Sequence, residues 1–472
     1  MYLLSLNNWD YVWITAFLAI NFIIAYSFRR KNATSDAFLF ASTKFDSFFA
    51  ILGDFGLIEI ILAAVAGAYF GFNAVYYVLF ALLVQILCQN ILAKRYRAAN
   101  VIGFNDYIGV RFNKDFMLII TLITIILFVM CTSLAIAVMF KSMQAIMGFG
   151  FINNTMGLLG LTVAIVLIGG RVGVLHNKLF NSLIIILILL LSMVSAVIQF
   201  GGFSAIITNL TNLAQAQGLS HNHYLWSLPH TRHILIVIAA IVLGFAGFKL
   251  VYYSNEKQQK ISIIGRACVL VLLILPGIIA IATPNTGGIP GKDIVTIMAQ
   301  LPDGQTGYVV KAVDNQGKHG SANPGIVPPL LNPKTNLIES GQYNYGIATI
   351  VAIRHYLPIP LMILVLLLLL SGFMLSIGDY MLRLGQLTVN NFLIPLNWIS
   401  KYGKIGELWS LQVSIVSYTG VTLIIAYFMF LHYNLLYYIA LISLCLIIPL
   451  LAVTGMILLL PYTITTQNVQ KK

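Results

Sequence analysis

Apolar residues in this chain fall in long unbroken runs rather than alternating with polar ones. The runs have the length, about 17–25 residues, at which a helix crosses the hydrocarbon core of a bilayer. They lie at 11–28, 47–70, 74–93, 116–140, 155–170, 179–200, 233–253, 263–283, 358–380, 408–430 and 435–461. The pattern predicts an all-α polytopic membrane protein with about eleven transmembrane helices, of which 155–170 is the shortest. One long segment breaks it: residues 284–357, rich in Pro, Gly, Asn and Asp, read as a water-exposed cap or insertion.

The run Phe48–Phe70, FFAILGDFGLIEIILAAVAGAYF, holds two carboxylates, Asp54 and Glu59, with Gly53 and Gly56 beside them. An ionised side chain near the middle of a span costs several kcal/mol unless it faces a cavity or a partner, so Glu59 marks a functional position. The two glycines weaken the helix and free backbone carbonyls, and secondary transporters build ion and substrate sites from such interrupted helices.

Setting the first run aside as peripheral (1–46) leaves five spans in 47–200 and five in 233–461. The outer loop 201–232 joins them, 284–357 is inserted in the second half, and 462–472 is an inner tail. The second half opens on LGFAGFKLVYY, where Gly244, Gly247 and Lys249 echo Gly53, Gly56 and Asp54. This is the arrangement expected of leucine-transporter-type inverted repeats, with the first and sixth core helices broken. Tyr252 and Tyr253, at the end of that echo, are gating candidates.

Composition agrees with the pattern: 59% hydrophobic, 9% charged, mean hydropathy +0.91 over 472 residues. No soluble fold has enough interior for so much apolar surface. The net charge of +13 would suggest nucleic acid in a soluble protein. Here 20 of the 27 Lys and Arg lie in alternate gaps: Arg29–Lys44, Lys94–Lys114, Arg171 and Lys178, Lys249–Arg266, Arg383–Lys404, Lys471 and Lys472. The positive-inside rule therefore puts the N-terminus outside and the C-terminus inside a plasma or inner membrane, and the charge implies no nucleic-acid partner. Read so, Lys178 has two competing roles, snorkelling to the inner interface or reaching into the site.

No phosphate-binding glycine loop, nucleophile elbow or HExxH is present, which argues against an ATPase, lipase or protease and for a protein that is not an enzyme. His221, His223, His230 and His233 cluster, but their spacing matches no metal-ligand pattern. The four cysteines fall within spans and imply no pairing. Asp379 and Arg383 have the spacing of a helical i,i+4 ion pair; Gln85, Gln89 and Asn90 suit interhelical hydrogen bonds; Ser371, Ser376 and Tyr418 are cavity candidates.

Several phrases resemble the sodium:solute symporter family: GAYFGFNAVYY, the basic turn AKRYR and FNDYIGVRF within 47–113, IGGRVGVLHNKLFNSL at 168–183, and LPIPLMILVLLLLLSGFMLSIGDYML at 357–382. The resemblance implies a sodium ion between the first and eighth core helices, held by backbone carbonyls of one and paired hydroxyls of the other. By position, the carbonyls are near Gly53 and Gly56 and the hydroxyl pair falls on Leu375 and Ser376, so one hydroxyl is missing. The family's Asp in the fifth core helix falls on Lys178, with Asn177 and Asn181 in place of a Thr and a Gln. An ammonium there would repel a sodium ion or substitute for its charge.

The expectation is thus a secondary active transporter of a small organic solute, with no organic cofactor and Na+ or H+ as coupling ion, sodium being favoured on family grounds. A proton-coupled or uncoupled transporter, and a sensor or scaffold with a decayed ion site, are the alternatives.

Overall fold

The computed structural model describes residues 8–29, 34, 38–39, 55–76, 79, 95–96, 99, 101, 104–147, 151–216, 220–225, 256–283, 292–300, 306–314, 327, 329–331, 338–343, 348–357, 363–398, 403–431, 435–442, 445–446, 450 and 453. The expected spans at 74–93 and 233–253 lie largely outside these, as do Gly53, Asp54, Gly244, Gly247, Lys249, Tyr252 and Tyr253.

The membrane body is helical. Its elements are α1 (Asn8–Ser27), α2 (Leu57–Phe70), α3 (Phe104–Arg111), α4 (Lys114–Met147), α5 (Phe151–Phe200), α6 (Phe203–Ala216), α7 (Glu256–Ala282), α8 (Ala348–Tyr356), α9 (Ile363–Thr388), α10 (Gly403–Leu431) and α11 (Leu435–Ile442). Among the described residues six helices are long and apolar enough to cross a membrane, and a shorter apolar stretch covers Val271–Ala282.

Helix α9 is the centre of the body. In its apolar window 89% of residues are buried, against 17% for α1 and 22% for α10, which turn Trp9, Trp13, Trp409 and Phe428 outward as lipid-facing helices do. It packs on α5, α4, α10 and α2. Helices α2 and α7 approach so closely that a Cβ on Gly67 would overlap the Ile274 carbonyl, and one on Gly277 the Ala64 carbonyl. Small residues at a helix crossing allow this in lipid, where tight packing replaces the hydrophobic drive.

The sequence pattern placed a loop at 171–178, between two spans. The chain instead breaks at one residue, Gly170, at φ 51° and ψ −156°, a conformation that costs glycine little, and the next helical segment starts at once. The polar residues that suggested a loop lie within the helix and largely inside the protein: His176 Nδ1 bonds the Val172 carbonyl and its ring stacks on Phe28, and Asn177 and Lys178 are buried. Helix α9 likewise runs to Thr388, eight residues past the expected end, and continues as a π-helical turn, Val389–Leu393.

The insertion 284–357 contains two antiparallel hairpins. β1 (Lys292–Gln300) pairs with β2 (Thr306–Asp314) in register from Lys292↔Asp314 to Gln300↔Thr306, and β3 (Pro329–Leu331) pairs with β4 (Ile338–Tyr343). Helix α8 ties this segment to the body: the Tyr356 carbonyl accepts from Ser195 Oγ and Gln199 Nε2, and its hydroxyl meets Thr283 Oγ1 at 2.6 Å. Burial pushes that phenol up to about 12, against the opposing effect of the Thr283 hydrogen bond.

Candidate functional site

Helix α2 begins inside the expected span. Gly56 is extended (φ −135°, ψ −170°) and helical hydrogen bonding starts with Ile60 N–H donating to the Gly56 carbonyl at 3.0 Å. The sequence GLIE supplies half a capping box: the Glu59 carboxylate reaches back and Oε2 accepts the Gly56 N–H at 3.0 Å. Glu59 is therefore a first-turn residue near the positive end of the helix dipole, which stabilises its charge. It is half-buried.

The next free N–H of that turn, Leu57, donates to Ser376 Oγ of α9 at 2.8 Å. Gly56 lies directly against this hydroxyl, and a Cβ there would overlap Ser376 Oγ. Its extended backbone suits any residue, so glycine is required by space and not by conformation. Gly56, Glu59 and Ser376, separate predictions from sequence, thus meet at one point. Leu375 is buried and apolar, so the second position of the inferred hydroxyl pair offers no oxygen. The Gly56 carbonyl and Ser376 Oγ each accept one hydrogen bond and each keep a lone pair for another partner.

Lys178 does not snorkel. It is 6% exposed and its ammonium lies 3.1 Å from Asp379 Oδ1, while Arg383 Nε binds the other oxygen at 3.0 Å. The expected i,i+4 pair is present, but as two arms of a largely buried three-charge cluster joining α5 to α9, and it lies nine residues before the helix end. Lys178 is thus beside the Ser376 turn of α9 and held by a counter-charge. Asn177 is buried with neither amide atom hydrogen-bonded; Asn181 donates to Asn21 Oδ1 of α1 and to the Asn177 carbonyl, leaving its own oxygen unused.

Tyr418 pairs with Thr388 Oγ1 at 2.9 Å, a bond between α9 and α10. Ser371 is fully buried with its hydroxyl unpaired. His221 bonds Gln215, and the His223 carbonyl accepts from Asn73; His230 and His233 lie outside the described residues, and no His, Cys, Asp and Glu grouping suited to a metal occurs among those described. Sequence reasoning missed a bond just beyond the C-terminal end of α9: Asn391, in the π turn, donates to Asp106 of α3 at 2.7 Å. An acid in the FNDYIGVRF phrase was the available signal.

The family model for the sodium:solute symporter family matches residues 56–303, over half of the chain. No curated protein sequence matches. Among 42 matching solved chains is the substrate-bound outward-open state of a Na+-coupled sialic acid symporter, described as revealing a novel Na+-site. It is 13% identical, covers 92% of this chain and 85% of its own, and superposes with a TM-score of 0.66. That likeness gives the fold, a sodium-symporter fold of the leucine-transporter type, over nearly the whole chain. With the family match over α2–α7 and the α2–α9 contact at Gly56 and Ser376, the chain belongs to the sodium:solute symporter family.

Proposed function

We propose that this protein carries a small organic solute across a plasma or inner membrane by sodium-coupled alternating access, with the N-terminus outside and the C-terminus inside. Cation-coupled solute symport follows from the family; the choice of sodium is our reading. The observation that carries it is the contact of the interrupted start of α2 with α9, where Ser376 Oγ receives the Leu57 N–H and packs against Gly56. A helix that opens at this depth presents backbone and hydroxyl oxygens together, the ligands a hard cation takes. Gly53, Gly56 and Ser376 are the proposed sodium ligands, with Asp54 and Glu59 as the nearby charges and Tyr252 and Tyr253 as the inner gate. Two inverted five-helix repeats, 47–200 and 233–461, would form the moving parts.

A proton-driven mechanism is the second reading, and Leu375 is what favours it. With one hydroxyl absent the shell has fewer oxygens than hard cations usually collect, roughly six for related ions. The half-buried Glu59 carboxylate could then carry the coupling charge.

The test is uptake of a solute panel into proteoliposomes with sodium and pH gradients imposed separately. Uptake that saturates in sodium at fixed pH supports the proposal. A response to the pH gradient alone would replace sodium by protons, and no solute movement under either gradient would overturn symport. External labelling of a cysteine placed at residue 470 in intact cells would reverse the topology.

A further inference from the structure

Within the spans expected from hydropathy the described residues hold two carboxylates, Glu59 and Asp379. Asp379 is held by Lys178 and Arg383. Among the described residues no basic side chain comes within ion-pair distance of Glu59; its hydrogen bond is from the Gly56 N–H of its own helix to Oε2, and Oε1 carries none. The helix dipole offsets only part of that charge, about half a unit. The surface around Glu59 shows where a partner would come from. Helix α2 is largely buried, yet Glu59, Leu62, Ala63, Ala66 and Tyr69 stay open along one helical face, while Ile60, Ile61, Ala64 and Val65 between them are buried. A stripe that ends on a carboxylate at this depth does not face hydrocarbon, where the charge would go unsolvated; it lines a water-accessible groove. At a helical rise of about 1.5 Å per residue the groove is roughly 15 Å long. It opens at Tyr69, near the end of α2 where Phe72 N–H donates to the Tyr224 carbonyl and Asn73 to that of His223.

A negative charge without a protein counter-charge, at the inner end of a narrow groove, is matched by a positive charge that arrives with the ligand. A bare sodium ion at the Gly56–Ser376 contact leaves the stripe unused; an organic cation uses both the charge and the stripe. We propose that the solute is a small organic cation, with an ammonium or quaternary ammonium head seated on Glu59 and a carbon body lying along Leu62, Ala63 and Ala66 toward Tyr69. This assignment rests on the reading of the protein as a solute symporter and names the chemistry of its solute. The Leu and Ala side chains suit methyl and methylene groups, the two alanines leave room for them, and the Tyr69 ring offers a cation a π face at the mouth. A sugar would find no hydrogen-bonding side chain between Glu59 and Tyr69 on this face, and an anion would meet Glu59 itself.

Nanodiscs impose no gradient, so charge-selective binding can fail while symport stands, and can hold while symport fails. Full-length wild type, Glu59→Gln, Glu59→Asp and Ala66→Leu are melted in sodium chloride with titrations of choline, ethanolamine and putrescine. Each cation is paired with an analogue that lacks the positive nitrogen, namely dimethylbutanol, ethylene glycol and butanediol, and glucose is the neutral control. At least one of the cations should raise the wild-type melting temperature with saturation, at a midpoint about tenfold or more below that of its analogue and of glucose. Glu59→Gln keeps an acceptor for the Gly56 N–H, should melt near wild type without ligand, and should bind cation and analogue equally. Glu59→Asp should keep the preference at a weaker midpoint. Ala66→Leu should weaken the cation with the charge intact, because the longer side chain fills the stripe. Stabilisation by none of the cations, equal midpoints for cation and analogue, tighter binding of glucose, a preference that survives Glu59→Gln, or cation binding unchanged in Ala66→Leu would each overturn the proposal. Should Glu59→Gln not be recovered folded, the wild-type pairs and Ala66→Leu decide alone.

Discussion

Two sides of α9 bind their neighbours in opposite ways. Toward α2, Ser376 offers a neutral hydroxyl to one backbone N–H, and the contact depends on Gly56 having no side chain. Toward α5, three residues further on, Asp379 is fixed by two cations, one of them from the other helix. A neutral hydrogen bond contributes only about 0.5–1.5 kcal/mol net. Separating a buried ion pair strands charges and costs about 3–5 kcal/mol. One helix is thus bolted on one side and hinged on the other. Helix α2 in turn is interlocked with α7 through Gly67 and Gly277, so the weak polar contact, beside the packing of Gly372 on Leu57 and Ile60, lies between two closely joined pairs, α2–α7 and α5–α9. Alternating access needs a boundary of that kind, where one packed unit can part from another at low cost.

The strongest way to break the contrast is to unbolt the ion pair. Asp379→Ala leaves Lys178 and Arg383 facing each other in a buried site and should lower stability by about 3–5 kcal/mol, seen as a large drop in melting temperature in nanodiscs. A loss no greater than that of Ser376→Ala would erase the difference between the two sides.

The hinge side should respond to size before charge. Gly56→Ala drives a methyl into Ser376 Oγ, an overpacking that should cost about 1–3 kcal/mol and abolish uptake. Gly56→Ala/Ser376→Gly removes the obstructing oxygen and should regain much of the stability but not sodium-dependent uptake. Equal melting of the single and double variants would show that the contact is not the constraint. Ser376→Ala alone orphans the Leu57 N–H and should cost about 1 kcal/mol, with a right-shifted sodium dependence of uptake; an unchanged sodium dependence would remove Ser376 from the ion site.

How far this contrast was legible in the sequence differs between its halves. The hinge was, because Gly56 and Glu59 are close in the chain and the capping spacing is local, and because Ser376 came with the family's eighth-helix phrase. The bolt was half legible: Asp379 and Arg383 announce themselves by i,i+4 spacing, but Lys178 is in the other half of the chain, and a lysine near a run of polar residues reads as an inner loop. The span boundary at 171–178 went wrong for the same reason, since hydropathy cannot tell a polar residue facing water from one facing α1 or α9. The leucine-transporter-type fold followed from the runs and the family likeness. The hairpins did not, although LPDGQ between two β-branched stretches, 292–300 and 306–314, has the residue types that favour a turn; within a Pro- and Gly-rich segment it was read as loop.

The smallest effect on stability should come with one of the largest on function. Glu59→Gln keeps an oxygen that can accept the Gly56 N–H, so the cap survives and only the charge–dipole part is lost, about 0.3–1 kcal/mol. The chain should therefore fold and melt close to wild type. The carboxylate is different for transport, because Glu59 is half-buried beside the α2–α9 contact. If that charge is used during the cycle, Glu59→Gln should lose coupled uptake or move its pH optimum while melting normally, and Glu59→Asp, which keeps the charge but shortens its reach to Gly56, should retain part of the uptake and lose part of the cap. Uptake by Glu59→Gln that equals wild type at every pH would leave Glu59 as a helix cap alone, and the hinge side of α9 would then work through Gly56 and Ser376 without a carboxylate.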